Sequence, residues 1–305
     1  MEGNALSLPG TRQRQRVALQ IKRAALALIL LVPALATLRA GDTTYEANAD
    51  YSYVGSVRMQ NSGNLSEQSN QAHFAISTQI PSGQLLRFGA EWQRYSFSAM
   101  PQTAQLPNTL QSVNLIIGAD VDLWGWLIRI EAQPGFYGNF QQFDGKGFNL
   151  PFIIGGMYLV NSDLQWVAGV SVNVQRNIPV LPAAGVRWKF AKDWVLNAVL
   201  PRPRLEYTLN QFATLYTGGD FKLGTYRMDN NFGNDHGNPS LNNALVDYTE
   251  IRVGGGAEVK FGSSVKIDLE AGCMVYRQFD IYRANTATTS NGGAAYGQII
   301  MSCSF

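Results

Sequence analysis

The chain has 305 residues, 46% of them hydrophobic and only 15% charged, with a mean hydropathy of -0.10 and a formal net charge of +2. That length can bury a sizeable core, and two cysteines exclude a disulfide scaffold. No run of 18 apolar residues occurs, which excludes a bundle of membrane-spanning helices.

The N-terminus carries an export pattern. Arg12, Arg14, Arg16, Lys22 and Arg23 form a basic region, and residues 24–36 follow as an apolar run of 13, AALALILLVPALA. Ala34-Leu35-Ala36 supplies a small-x-small cleavage site, with Ala40 as the alternative end. Residues 1–36 are therefore expected to be a signal peptide and residues 37–305 the exported domain. Five of the 24 basic and one of the 22 acidic residues leave with the signal, so 19 and 21 remain, a net of about -2. The basicity belongs to the leader, and no basic patch is left to suggest a nucleic-acid partner.

From Tyr45 onward the dominant period is two. Tyr45, Ala47, Ala49, Tyr51, Tyr53, Val57 and Met59 alternate with Glu46, Asn48, Asp50, Ser52 and Arg58 over 15 residues, far beyond the usual strand of five or six. The pattern recurs over 72–80, 86–93, 112–121, 126–133, 250–261 and 265–273, and no stretch shows a helical stripe. Short polar turns fall at 81–83, 122–123, 161–163, 192–193, 210–211 and 262–264. Longer Asn/Gly/Gln-rich segments alternate with them near 60–69, 99–109, 141–149, 175–181, 229–243 and 283–293, and Pro201-Arg202-Pro203 makes one tight turn.

Short turns at one end and long loops at the other predict an all-β fold, a single closed antiparallel up-and-down transmembrane β-barrel of about 14 strands. Twelve strands is the alternative, if Trp194–Leu200 and Arg204–Leu209 form one irregular element. Strands of 12–15 residues exceed sandwich norms and suit a tilted crossing of the hydrocarbon. Trp124, Trp126, Trp166, Trp194 and Phe261 gather beside the short turns, as an interfacial aromatic girdle would. The chain ends at Phe305, with Ile299, Met301 and Cys303 at alternate positions before it.

With that ending, the sequence resembles Gram-negative outer-membrane proteins, whose terminal aromatic strand is the signal read by the barrel-assembly machinery. The resemblance implies that Phe305 is such an assembly signal, that the partners are outer-membrane lipids and that machinery, and that the protein resides in the outer membrane. The repeated turn-Trp-strand units and the PRPRLEY segment resemble single-barrel families known only as domains of unknown function.

Parity assigns Arg87, Glu91, Arg129, Glu131, Arg187, Lys189, Glu206, Glu250, Arg252, Glu258, Lys260, Asp268 and Glu270 to the lumen, together with Arg58. Interspersed, balanced signs suggest a narrow aqueous path for small solutes with weak ion selectivity, since a selective pore shows a ring of one sign. Alternatively, cross-strand ion pairs close the lumen and the outer loops bind a ligand. Loops 141–149 and 229–243 are the candidate constrictions. A lipid-modifying enzyme would need a nucleophile beside a base, but only His73 and His236 are available and no serine is assignable to either. No enzyme, no cofactor and no metal site is expected. Gly254-Gly255-Gly256 reads as a bulge or close backbone approach. Cys273 and Cys303 fall on lipid-facing positions at different heights, so a disulfide is not expected.

Overall fold

A computed structural model describes residues 43–305 except 61, 82, 99–104 and 141–144, so the expected signal peptide lies outside the described residues. Among them, fourteen strands run in antiparallel succession. They are β1 (Thr43–Met59), β2 (Gly63–Gln79), β3 (Leu85–Ser98) and β4 (Thr109–Leu123). β5 has two pieces (Trp126–Ala132 and Gly135–Gly138), as does β6 (Phe148–Asn149 and Phe152–Asn161). Then follow β7 (Leu164–Val172), β8 (Val180–Trp188), β9 (Trp194–Ala198) and β10 (Arg204–Thr208). β11 (Ala213–Arg227), β12 (Leu245–Phe261), β13 (Val265–Ile281) and a two-piece β14 (Thr286–Thr289 and Ala294–Ser304) complete the set. β14 pairs with β1, as in Ala47 opposite Cys303, and the barrel closes. Closure pairs the first strand with the last, as a sheet surrounded by lipid requires.

The two short segments around Pro201 are separate strands, so the count is fourteen rather than twelve. The first expected long loop is cut short, because Met59 already pairs with Gly63 and β2 extends through the polar stretch 63–69. That stretch hides a strand because its inward residues, Glu67 and Ser69 among them, meet polar partners. His73 consequently lies opposite Asn48 in the lower half of the barrel.

Two bulges overturn simple parity. A register shift between Val54 and Val57 turns Val57 and Met59 inward and Arg58 outward, correcting its assignment to the lumen. An extra residue on β13, opposite the Ile251–Arg252 step, turns Arg277 and Phe279 inward where Met274 had been. Bulges of this kind place two residues against one and re-aim everything beyond them.

The outward face carries an apolar band that includes Leu115, Ile130, Val253, Leu269 and Ile299. Below it, Trp126 packs on Tyr158, Trp194 on Tyr207 and Phe190, and Trp188 on Phe190. Trp166 and Phe261 are exposed at the same rim. Trp124 and Gly125 form the two-residue turn between β4 and β5, both with positive φ (53° and 79°). Trp124 is 88% exposed there.

The barrel changes circumference with height. β5 and β6 break opposite each other at Pro134 and Pro151, where proline cannot supply a ladder N–H. Gln133 N–H instead reaches the Pro151 carbonyl at 2.9 Å. Above the break β5 turns inward until Gly138 pairs with Arg227 at the top of β11. A ring of nine strands (β1–β4, upper β5, β11–β14) therefore closes the outer half, while β6–β10 complete the wide lower half. Fewer strands mean a smaller diameter, so the outer ring is narrow enough for side chains to fill.

Close strand approach is enforced by glycine. A Cβ on Gly89 would sit 2.2 Å from the Phe74 carbonyl oxygen, a backbone atom that cannot rotate away. Gly89→Ala is therefore expected to lose roughly 1–3 kcal/mol by overpacking, although alanine ordinarily favours a strand over glycine. Urea-unfolding midpoints in detergent would check this, and an unchanged or raised midpoint would contradict it. Gly254 and Gly256 lie under the Tyr296 and Tyr216 hydroxyls, 2.4 and 2.6 Å from a would-be Cβ. The glycine run is a site of close approach within an unbroken β12.

Candidate functional site

Four layers fill the interior. The outermost is an apolar plug built from inward residues of the narrow ring, including Val54, Leu65, Tyr95, Phe97, Tyr248 and Phe279. Phe97, Tyr248 and Phe279 touch one another with ring centroids 5.0–5.7 Å apart. Phe232 and Leu241, from the segment joining β11 to β12, are buried on the same cluster. Of the two candidate constrictions, 229–243 thus contributes directly to the seal. Lys146 reaches it from the other, donating to Asn230 Oδ1 at 2.8 Å, while residues 141–144 lie outside the described set.

Beneath the plug, two arginines and two glutamates are wholly buried. Arg252 meets Glu67 at 3.0 Å and Glu250 at 2.5 Å, and Arg277 meets Glu67 at 2.6 Å and Glu250 at 2.7 Å. Tyr248 Oη contacts both carboxylates, and Arg252 also donates to Ser52 Oγ at 2.9 Å. The quartet is neutral overall, the condition under which buried charge is tolerated.

Below lies a polar vestibule of about 790 Å³ near the short-turn rim, lined by Glu46, Asn48, His73, Arg202, Lys266 and Ser302 among others. Most of the charges around it are paired. Arg87 bridges Glu46 (2.8 Å) and Glu131 (3.5 Å), and Arg129 holds Asp120 with both terminal contacts at 2.6–2.7 Å. The Pro201-Arg202-Pro203 turn points Arg202 inward to Asp50 and Asp220. Arg204 meets Glu270 at 3.2 Å and Asp268 at 3.8 Å. His73 Nδ1 contacts Glu91 and its Nε2 contacts Arg87, both at 3.3 Å. A neutral ring with its proton on Nδ1 satisfies both neighbours, and neither nitrogen faces a serine. His236 is a loop residue, bonding the Phe232 carbonyl at 2.7 Å. Among the described residues no cluster of His, Cys, Asp and Glu is arranged to hold a metal ion, and both cysteines are free.

The residues assigned by parity therefore occupy different levels rather than one ring. Glu250 and Arg252 belong to the buried quartet. Arg87, Glu91, Arg129, Glu131, Asp268 and Glu270 make the ion pairs and hydrogen bonds of the lower lumen. Glu258 and Lys260 pair with each other at 3.5 Å, and Glu206 lies beside Asn197. Arg187 shares the inner face of β8 but is exposed, and Lys189 lies beyond the end of β8, in the rim turn. Sequence reading missed Glu67, because it fell in a supposed loop, and Arg277, because the β13 bulge reverses its parity. It also missed Arg202, for which the turn prolines gave no sign of inward direction.

The fourth layer is a side chamber of about 660 Å³, lined by Ile153, Val167, Leu181 and Ala183 of β6–β8 and by Phe221 and Leu223 of β11. Phe221 and Leu223 face away from the narrow ring, hence into the space that β6–β8 enclose. The chamber adjoins the vestibule, and both share Glu91, Gln93 and Pro201 as lining.

A family model matches residues 40–291, nearly the whole barrel, and describes a domain of unknown function, DUF6268. The chain belongs to the DUF6268 family. No curated protein matches this sequence. Among solved structures, the chain is similar to the toluene transporter TodX of Pseudomonas putida, at 10% identity and a TM-score of 0.45, covering 87% of this chain and 90% of that one. An outer-membrane channel of Pseudomonas putida F1 gives 10% identity and 0.45, covering 88% and 97%. The translocator domain of the autotransporter NalP of Neisseria meningitidis gives 12% and 0.34, covering 95% and 97%. This family member is a closed, 14-stranded antiparallel barrel.

Proposed function

We propose that the protein is a passive outer-membrane channel for small solutes, exported by its leader and assembled through a terminal strand ending in Phe305. The observation that carries this reading is the pair of adjoining cavities, a polar vestibule at one rim and an apolar chamber at its side. The outer half is filled, so the route bends sideways rather than running straight along the axis. Weak ion selectivity fits a lumen whose charges are mostly paired with one another, leaving no ladder of one sign to favour either ion. No enzyme chemistry is proposed, and the apolar band meets outer-membrane lipid.

Flux into vesicles tests the reading. Vesicles carrying the barrel are expected to take up a small uncharged solute faster than empty vesicles, with little steady ionic current in planar bilayers. Folded barrels that accelerate no solute would remove the channel role. The packed outer half favours the second reading, a closed barrel that binds a ligand through its outer segments. Substitutions in 229–243 that abolish function without unfolding the barrel would support it.

A further inference from the structure

The wall of the wide lower half is incomplete above the β9–β10 hairpin. β9 and β10 have five residues each, between a nine-residue β8 and a fifteen-residue β11. β8 pairs with β9 only at residues 186–188, and β11 pairs with β10 only at 214–218, with Gly219 and Phe221 N–H reaching the 201–203 turn. Among the described residues, no strand pairs with 180–185 on that edge or with 222–226 on the facing edge. The β7–β8 loop, residues 173–179, roofs this window. Asn177 N–H bonds Asp247 at 2.8 Å, Asn177 Nδ2 bonds Asp280 at 3.2 Å, and Tyr282 Oη donates to the Gln175 carbonyl. The side chamber lies directly behind it.

The strand chemistry fits a deliberate edge. Asn173 N–H donates to the Pro179 carbonyl and Lys189 N–H to the Asp163 carbonyl, so odd-numbered residues of β8 carry the ladder to β7. Pro182 therefore turns its backbone toward the window, where proline has no N–H to leave unpaired. The window stands five residues above Trp188 of the aromatic rim at Ala183, about 17 Å along a strand rising ~3.3 Å per residue. That is within the height of a lipid-facing band, where free backbone is tolerated only beside a cavity.

At the upper rim of the chamber, Arg176 lies over Ser171, its Nη2 3.4 Å from the hydroxyl. Its other terminal nitrogen is buried with no partner, and among the described residues no carboxylate is within ion-pairing distance. The carboxylate that acts on it electrostatically, Asp247, is already engaged by the Asn177 N–H and the Thr225 hydroxyl. A half-buried guanidinium with one enclosed, unpartnered donor beside an apolar chamber calls for an anion attached to an apolar body.

We propose that the side chamber is a binding site for a single-chain anionic amphiphile, which enters from the membrane through the window between β8 and β11. Its anionic head meets Arg176, and its tail lies against Ile153, Val167, Leu181, Ala183 and Leu223. The proposal rests on reading the barrel as membrane-spanning and gives the channel reading a ligand class.

A stearic acid carrying a nitroxide on its chain tests it, added to the purified barrel in uncharged detergent and followed by electron paramagnetic resonance. One immobilised probe per barrel is expected. Arg176→Glu should weaken binding roughly ten-fold or more, and the methyl ester of the probe should lose a similar factor with the native protein. Ala183→Trp, filling the chamber, should abolish immobilisation while the barrel still migrates as a folded species on unheated gels. Equal binding of acid and ester, or binding indifferent to both substitutions, would overturn the site. Binding without vesicle flux would leave the chamber standing and remove the channel role, and flux without binding would do the reverse.

Discussion

Replacing Arg277 with alanine is expected to destabilise the folded barrel by about 3–5 kcal/mol, the cost of leaving a buried charge without its partner. Arg277 contacts both Glu67 and Glu250, which lie on strands 183 positions apart in the chain and share the hydroxyl of Tyr248. Without it, Arg252 alone faces two carboxylates in a site that excludes water. Denaturant unfolding in detergent would read the loss as a lowered midpoint with an unchanged slope. Glu67→Gln introduced into the Arg277→Ala background should recover part of it, because the remaining site then holds one carboxylate and one guanidinium. A single variant as stable as the native barrel would show that water reaches the quartet and the outer ring is not sealed.

Truncating the ring cluster of the plug should have the largest effect on permeability. Phe97, Tyr248 and Phe279 pack on one another across the narrow ring from three strands, Phe97 and Phe279 edge to face. Phe97→Ala alone should cost about 3–5 kcal/mol by transfer and cavity formation. The triple replacement of Phe97, Tyr248 and Phe279 by alanine should produce steady current steps in planar bilayers where the native barrel is nearly silent. Those steps should be weakly selective, since most of the charges below remain paired. A native barrel that conducts as strongly as the triple variant would place the barrier elsewhere.

The legible parts of this architecture were local. Alternation over Tyr45–Met59 and over the C-terminal strands, the short turns and the rim tryptophans all follow from a two-residue period and from where indoles prefer to lie. The same reading placed Glu250, Arg252, Asp268 and Glu270 on one face of their strands. It failed where a single extra residue shifts the register. The bulge near Val57 turned Arg58 outward, and the bulge on β13 turned Arg277 inward. It also failed where a strand lacks an apolar face, as over residues 63–69, because polar inward residues satisfied by partners across the barrel look like a loop.

By itself the sequence determined a closed barrel with an apolar exterior and a balanced polar interior, since period and composition are carried by neighbouring residues. Only the tertiary structure decided what the interior does. That β5 turns inward to meet β11, that Glu67 joins Arg252 and Arg277, and that two five-residue strands leave a window beside Arg176 depend on contacts between residues far apart in the chain. Such contacts are set by closure and register. Parity constrains them only up to the first bulge.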